Sequence, residues 1–357
     1  MFKKIAYKIA YILIVIWGVA SLVFVLFAIL PGDPSRMMMG MRENEETRLA
    51  IEQKYGFDQP IHKQYLYYLN DLSPISFHSN NTNDFTNTKN HMYNIFASLS
   101  NSKYDLIIKV PYFRSSFVRN DISVASIISD TLPNTFILAF AAILIALFFG
   151  LILGVYSAIH QHKFIDQFLS VISVLGMALP SFFSAIIIAW LFGFLWEKYT
   201  GLSMTGSLFE VDDYGRGEYI VWKNLILPAI TLGIRPLAVV IQLTRNSILD
   251  TLNEDFIRTA KAKGLSSFRI LFIHALPNAL NPVVTSASGW LASMLAGAVF
   301  IEFIFGWNGL GKEIVYALNY MDLPVVMGAV LTISICFVAI TILTDLIYYL
   351  LDPKLRV

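Results

Sequence analysis

The chain has 357 residues, 56% of them hydrophobic and only 14% charged, with a formal net charge of +1. A soluble domain carries about a quarter charged residues, and a near-neutral balance leaves no electrostatic footprint for nucleic acid. A soluble enzyme and a nucleic-acid binder are therefore both poor fits. The charge is missing from a few long segments, as expected of a polytopic membrane protein whose solvent is the lipid bilayer. Cys336, the single cysteine, lies in an apolar run and cannot form an intrachain disulfide.

Lys3, Lys4 and Lys8 precede an apolar run of about 22 residues, Ile9 to Leu30. A signal-peptide core runs about 7–15 residues, and no small-x-small cleavage site follows, so the run reads as a first spanning helix that is retained. A hydrocarbon core of about 30 Å needs roughly 20 helical residues. Five further segments qualify, at about 134–158, 166–196, 225–248, 280–305 and 324–350, which predicts six spans. The third is too long for a straight crossing and contains Gly176 and Pro180, predicting a kink or tilt. Pro282 is placed in the first turn of the fifth span, where a missing N–H costs little.

Between the first two spans, Pro31 to about Leu132 forms a long connection. Its middle is rich in Asn, Ser and Thr and reads as a surface insertion, about 73–105. GFDQPIHKQYLYYLNDL has helical spacing, and SVASIISDTLPNT reads as an amphipathic turn leading into the second span. Orientation follows from Lys and Arg in the short flanks. One set holds Lys3, Lys4, Lys8, Lys163, Arg245, Arg258, Lys261, Lys263, Arg269, Lys354 and Arg356; the other holds Lys198, Arg216, Lys223 and Lys312. The first set is expected in the cytoplasm, with both termini.

RTAKAKGLSSFRILFIHALP, Arg258 to Pro277, is the one cytoplasmic stretch with a design of its own. Asn253 is expected to cap a short helix with Glu254 and Asp255 in its first turn. Lys261 and Lys263 fall in the last turn, and Gly264 sits where a left-handed residue is wanted. Ser266 or Ser267 then caps a second helix that Pro277 ends. A loop that only retained charge inside would need no caps and no acids. The pattern is that of a rigid elbow, presenting Arg258, Thr259, Ala260 and Lys261 to a groove on a cytoplasmic partner.

This stretch resembles the "EAA" loop of ABC importer permeases. Arg258, Thr259 and Ala260 stand at its first three positions, Gly264 is its glycine, His274 takes the usual aliphatic site, and Leu276-Pro277 closes it. Arg at the acidic position, PGDP at Pro31–Pro34, FDQP at Phe57–Pro60, LPSF at Leu179–Phe182, LTRNSIL at Leu243–Leu249 and DPK at Asp352–Lys354 resemble the oligopeptide/dipeptide/nickel branch. The resemblance implies an all-α polytopic protein of six transmembrane helices with the type I ABC importer permease fold and a long extracytoplasmic insertion between helices 1 and 2. Its expected parts are 1–30 as N-terminus and first span, 31–132 extracytoplasmic, 133–350 as core with the coupling loop 250–277, and 351–357 as cytoplasmic tail.

The resemblance also implies a place in the bacterial cytoplasmic membrane and a set of partners. These are a second, homologous permease, two cytoplasmic ABC ATPase subunits that bind ATP and Mg, and an extracytoplasmic substrate-binding protein. The elbow, with Ala262, Lys263 and Leu265 among its residues, would be the coupling helix they grip. No cofactor, metal site or catalysis of this chain's own is expected. Short peptides are the branch's commonest cargo; nickel chelates and other solutes remain alternatives.

GWNGLGKE, from Gly306 to Glu313, contains the frame G-x-x-x-x-G-K. A phosphate-binding loop needs Ser or Thr next and a buried strand before it; Glu313 stands there, so the glycines are read as allowing a tight outer turn. Arg235 falls about eleven residues into the fourth span, where arginine costs about 3 kcal/mol on the insertion scale. It is expected either to face a hydrated path, to pair with Glu302 or Asp345, or to snorkel beside Pro236; Arg245 is read as snorkelling to the interface. Gly289, Ser293 and Gly297 recur every four residues on span five, as small residues do where helices approach closely in lipid. Packing within the chain, contact with a second permease and a pore wall remain open, with Pro180 also a candidate near the path. An intramembrane enzyme would need paired catalytic side chains inside the bilayer, and an ion-coupled transporter inverted repeats; neither is evident.

Overall fold

The computed structural model describes residues 2–29, 45–81, 84–88, 93–100, 104–119, 122–212, 215 and 217–351. The PGDP and DPK motifs, the tail from 352 and Thr82 of the sequon Asn80-Asn81-Thr82 lie outside them. In chain order the elements are α1 (Phe2–Ile29), α2 (Glu45–Tyr55), α3 (Ile61–Leu72), β1 (Ile75–Ser79), β2 (Ile95–Ser100), β3 (Tyr104–Lys109), α4 (Val124–Ile159), α5 (Phe164–Ala178) and α6 (Ser181–Trp190). A π-helical turn (Leu191–Leu195) and α7 (Glu197–Thr200) follow, then β4 (Phe209–Val211), β5 (Glu218–Ile220), α8 (Lys223–Leu252), α9 (Asp255–Ala262) and α10 (Ser267–Arg269). A second π turn (Ile270–Ala275) leads to α11 (Leu276–Gly297), α12 (Val299–Phe305), α13 (Leu310–Asn319) and α14 (Leu323–Leu351).

Among the described residues, five helices are long and apolar enough to cross a membrane: Ala10–Ala28, Val124–Ile159, Lys223–Leu252, Ser267–Gly297 and Leu323–Asp345. A sixth is reached only by counting α5 and α6 as one span, and these are bent by 107° at their junction. The expected kink is therefore a break. Leu179 and Pro180 are both extended (ψ 132° and 137°), because a proline pushes the residue before it out of the helical region. The second span also begins earlier than expected. α4 runs unbroken for 36 residues through Pro133, so the boundary placed at 132 falls inside a helix, and the amphipathic lead-in is its first turns.

The chain divides into two compact units, Met1–Thr131 with Glu313–Ile335, and Leu132–Lys312 with Cys336–Val357. In the first, an antiparallel sheet in the order β1-β3-β2 replaces part of the expected surface insertion, which corrects the all-α reading. ISFHS and YDLIIK alternate, so Ser76, His78, Ile107 and Lys109 turn to one buried face. The polar runs between these short strands hid the period. α3 forms as expected, and its Asp71 is the hub of the unit. Nε of Arg114 donates to its Oδ2 at 2.9 Å, the Tyr93 hydroxyl to its Oδ1 at 2.9 Å, and the Lys109 ammonium to its carbonyl oxygen.

Burial lowers the Lys109 pKa to about 8 in spite of the nearby Asp71 charge, and burial followed by that charge raises Tyr93 above its ordinary value. A lysine lowered by folding opposes folding while it is charged. The penalty is in full force below pH 8 and fades as pH rises from there toward the unfolded value of 10.5. Raised Tyr93 acts in the opposite sense only above its ordinary range near pH 10. Amide hydrogen exchange of β1 and β3, corrected for intrinsic rates, should show stronger protection at pH 9.5 than at pH 7.5, and Lys109→Met should abolish the difference.

The second unit is organised on α8, which packs against α5 and α11. It also approaches α4 closely at two glycines. A Cβ at Gly150 would stand 2.6 Å from Val240 Cγ1, and one at Gly154 would stand 2.6 Å from Thr244 Cβ and 2.9 Å from the Ile241 carbonyl oxygen. Gly150 and Gly154 are four apart on one face, the spacing that lets helix backbones touch in lipid.

Candidate coupling elbow and membrane cavity

The elbow runs from α9 to α11. Asn253 ends α8 rather than capping α9; the cap position is Glu254, with no side-chain bond to the helix. α9 closes at Lys263, and Gly264 follows at φ +76°, with its N–H donated to the Lys261 carbonyl at 2.9 Å. A Cβ at Gly264 would meet nothing within 4 Å, so the backbone conformation alone calls for glycine there. Ser266 caps the next helix, its Oγ accepting from the Arg269 N–H at 3.4 Å.

Pro277 does not end that helix. The chain passes through the π turn and straight into α11, with Pro277 in its first positions. Wider π pairing upstream leaves room for a residue that lacks an N–H and would clash with a carbonyl one turn back. Pro282 accordingly lies within α11 and not in its first turn. The second limb of the elbow, from Ser267, and the fifth span are one continuous rod.

The inner side of the elbow is a small core of Ile257, Ala260, Ile270 and Ala275, with Leu252 and Leu265 packed against it. Ala260 thus faces inward, which corrects its expected place on the presenting surface. Arg258, Thr259, Lys261, Ala262, Lys263 and Gly264 are exposed, Leu265, His274 and Leu276 are half-buried, and Pro277 is exposed. Arg258 touches Asp255 at 3.0 Å with both side chains open to solvent, a pair worth little. Sequence reading missed the apolar part of this surface. Phe268 is 72% exposed and leans on Phe272, and Phe256 and Ile273 are also open. Phe268, Phe272 and Ile273 were absorbed into the helix pattern of FRILFIHAL, and Phe256 into the short helix before it.

Arg245 does not merely snorkel. Its Nε and Nη2 donate to the two oxygens of Asp166 at 2.5 and 2.8 Å, while the Ser157 hydroxyl and the His162 N–H add bonds at 2.6 and 3.0 Å. Asp166 is 4% exposed and Arg245 21%. The pair joins α5 to α8, and Ser157 brings in α4. Only the acid in the first turn of FIDQFL could have signalled it, and its partner lies 79 residues away.

Within the second unit, a cavity of 160 Å³ brings together Arg235, Ser293 and Gly297, which the sequence had singled out separately, along with Ser181, Ser184 and Thr231. Arg235 donates to the Met177 carbonyl at 3.4 Å, at the break that Pro180 makes. Glu302 is not its partner. That carboxylate is buried and accepts the N–H groups of Gly311 and Lys312 at 2.7 and 3.1 Å. The backbone cradle of the G-x-x-x-x-G-K frame is thus filled by a carboxyl group of the chain itself. Gly306 turns the chain at φ +68°, giving the tight turn expected. A Cβ at Gly289 or Gly297 would meet nothing within 4 Å among the described residues, so these two positions have open space beside them.

Long apolar helices, a broken third segment beside a polar-lined cavity and an elbow rigidly continuous with one span define a helical membrane permease. Residues 150–357 match the family described as the binding-protein-dependent transport system inner membrane component, and residues 1–83 match the N-terminal component of the same kind. The chain belongs to this family, the permeases of ABC importers. It is similar to the di/tripeptide transport system permease of Pseudomonas aeruginosa, at 32% identity over 100% of this chain and 99% of that one. The dipeptide transport system permease of Bacillus subtilis is 31% identical over 95% and 92%. Among solved structures, the inward-facing MetNI methionine ABC transporter covers 64% of this chain and 97% of its own at TM-score 0.50 and 17% identity, a likeness of fold alone.

Proposed function

We propose that the chain is a peptide-importing permease subunit of a bacterial inner membrane, with six spans of the type I importer arrangement, α5 and α6 together making the third. Di- and tripeptide permeases head its relatives, which supports short peptides as cargo. Both termini and the elbow face the cytoplasm, and the segment with β1 to β3 faces outward as the insertion between the first two spans. The chain carries out no chemistry. It works with a second, homologous permease, an extracytoplasmic binding protein that delivers the peptide, and two ATPase subunits that bind ATP and Mg and press on the elbow.

The observation that carries this reading is the elbow itself. Its two limbs are locked together by Ile257, Ala260, Ile270 and Ala275, its outer face is open and cationic, and its second limb runs on from Ser267 into α11. A push on Lys261 is therefore delivered to the wall of the cavity that Ser293 and Gly297 line. In the assembled transporter, the double reversal Arg258→Glu with Lys261→Glu should leave membrane level at wild type, since both side chains are solvated. ATP-dependent uptake of a radiolabelled dipeptide should fall at least tenfold, and the ATPase subunits should be lost from a detergent pull-down. Full uptake with the ATPases still bound would reject the elbow as the coupling element.

A further inference from the structure

The first unit holds a larger cavity, of 380 Å³, within the range of about 300–1,000 Å³ typical of small-molecule sites. None of the coupling or pathway residues lines it. Its wall combines an apolar and a polar set of side chains. The apolar set, its floor, comes from the ends of two candidate spans: Phe24 and Phe27 from the last turns of the first, and Pro324 and Met327 from the first turns of the last. Above it stand the rings of Tyr55, Phe57 and Phe117, in mutual contact at 4.9 to 6.0 Å. The same end carries Arg114, Glu52 and Gln64.

Two polar groups of this wall are incompletely satisfied. Arg114 spends its Nε on Asp71 and lies over the Phe85 ring at 5.6 Å, while its terminal nitrogens make no hydrogen bond among the described residues and, with the side chain 20% exposed, stay open to a ligand. Tyr68 also lines the cavity, is 8% exposed, and its buried hydroxyl has no partner. A buried hydroxyl without a partner is costly, and an accessible guanidinium edge is a ready donor to an anion. Glu52 is already joined to Arg48 at 2.9 Å. The cavity thus asks for an anion at its polar end and a hydrocarbon body at its floor. A free anion would answer Arg114 and leave the apolar floor unfilled. A phosphodiester with acyl chains answers both.

We propose that this cavity holds one phospholipid, its phosphate against Arg114 and an acyl chain between the adjoining ends of α1 and α14. With the termini inside, the lipid belongs to the outer leaflet. The site would make the seating of α1 depend on the membrane's own lipid.

The full transporter, in nanodiscs doped with a diazirine-acyl phosphatidylethanolamine, is irradiated and the adducts are mapped by mass spectrometry. Adducts should concentrate on residues 24–28 and 323–328, well above other lipid-facing turns. Arg114→Met should lower them about tenfold, roughly the worth of one charge-assisted hydrogen bond, and Arg114→Lys should retain most of the signal. Because Arg114 also holds Asp71, Met327→Trp serves as a second variant that fills the floor while leaving that pair intact; it too should abolish the adducts. Uniform labelling along α1 and α14 would overturn the proposal. So would displacement of the adducts by inorganic phosphate, which would mark a free-anion site, or preferential labelling of the cavity by a photoreactive dipeptide.

Discussion

Gly154→Val is expected to prevent stable assembly of the membrane core. Any Cβ at this position would stand 2.6 Å from the Thr244 Cβ and 2.9 Å from the Ile241 carbonyl oxygen. The first neighbour is branched and stiff and the second is backbone, so neither can yield by a rotamer change. Overpacking of this kind costs about 1–3 kcal/mol in soluble cores, and the upper end or beyond is expected here because α4 and α8 must separate along their length. In fluorescence-detected size exclusion after a heat step, the variant should lose its monodisperse peak many degrees below wild type. Gly289→Val is the contrasting case. That position has open space, so the isolated chain should keep its melting temperature. Equal loss from the two variants would show that the α4–α8 crossing is not where the helices meet most closely.

Arg245→Met should be the most damaging single change at the end of the spans near the elbow. It leaves the Asp166 carboxylate buried, with only the Ser157 hydroxyl and the His162 N–H as donors. Breaking one half of a buried pair costs about 3–5 kcal/mol, whereas replacing both halves by apolar groups of similar size is often tolerated. The double variant Asp166→Leu with Arg245→Met should therefore regain much of the stability lost by Arg245→Met alone. The readout is melting temperature in detergent together with membrane level. If the double variant were as unstable as the single, the pair would matter for its specific geometry and not for relief of a stranded charge.

The two cases mark where sequence reading ran short. Gly150 and Gly154 stood in plain view at the same spacing as the glycines of span five, yet the second set was singled out. Spacing shows that a face is narrow but not which helix comes against it. Likewise Asp166 and Arg245 each looked ordinary, and their value lies in a meeting across 79 positions. The β1-β3-β2 sheet was overlooked because each strand is only five or six residues long and is cut off by polar runs. At the elbow, the glycine, the Ser266 cap and the cationic turn were legible, being local chemistry. Ala260 facing inward and Pro277 opening a helix were not, because both depend on the π turn that joins the elbow to α11.

What the amino-acid sequence determined by itself was the membrane class, the approximate place of the apolar helices and the left-handed glycine of the elbow. These follow from transfer of side chains between water and lipid, and from backbone conformations that span only a few residues. Tertiary structure alone decided that Glu302 fills the would-be phosphate cradle, that Arg235 shares a cavity with Ser293 and Gly297, and that Asp166 holds Arg245. Each of these is a bond or a shared space between separate segments, from nine residues apart for Glu302 and Gly311 to 79 for Asp166 and Arg245. In a medium without water, buried polar groups must find partners inside the protein, and which partner is within reach is settled only when the helices have packed.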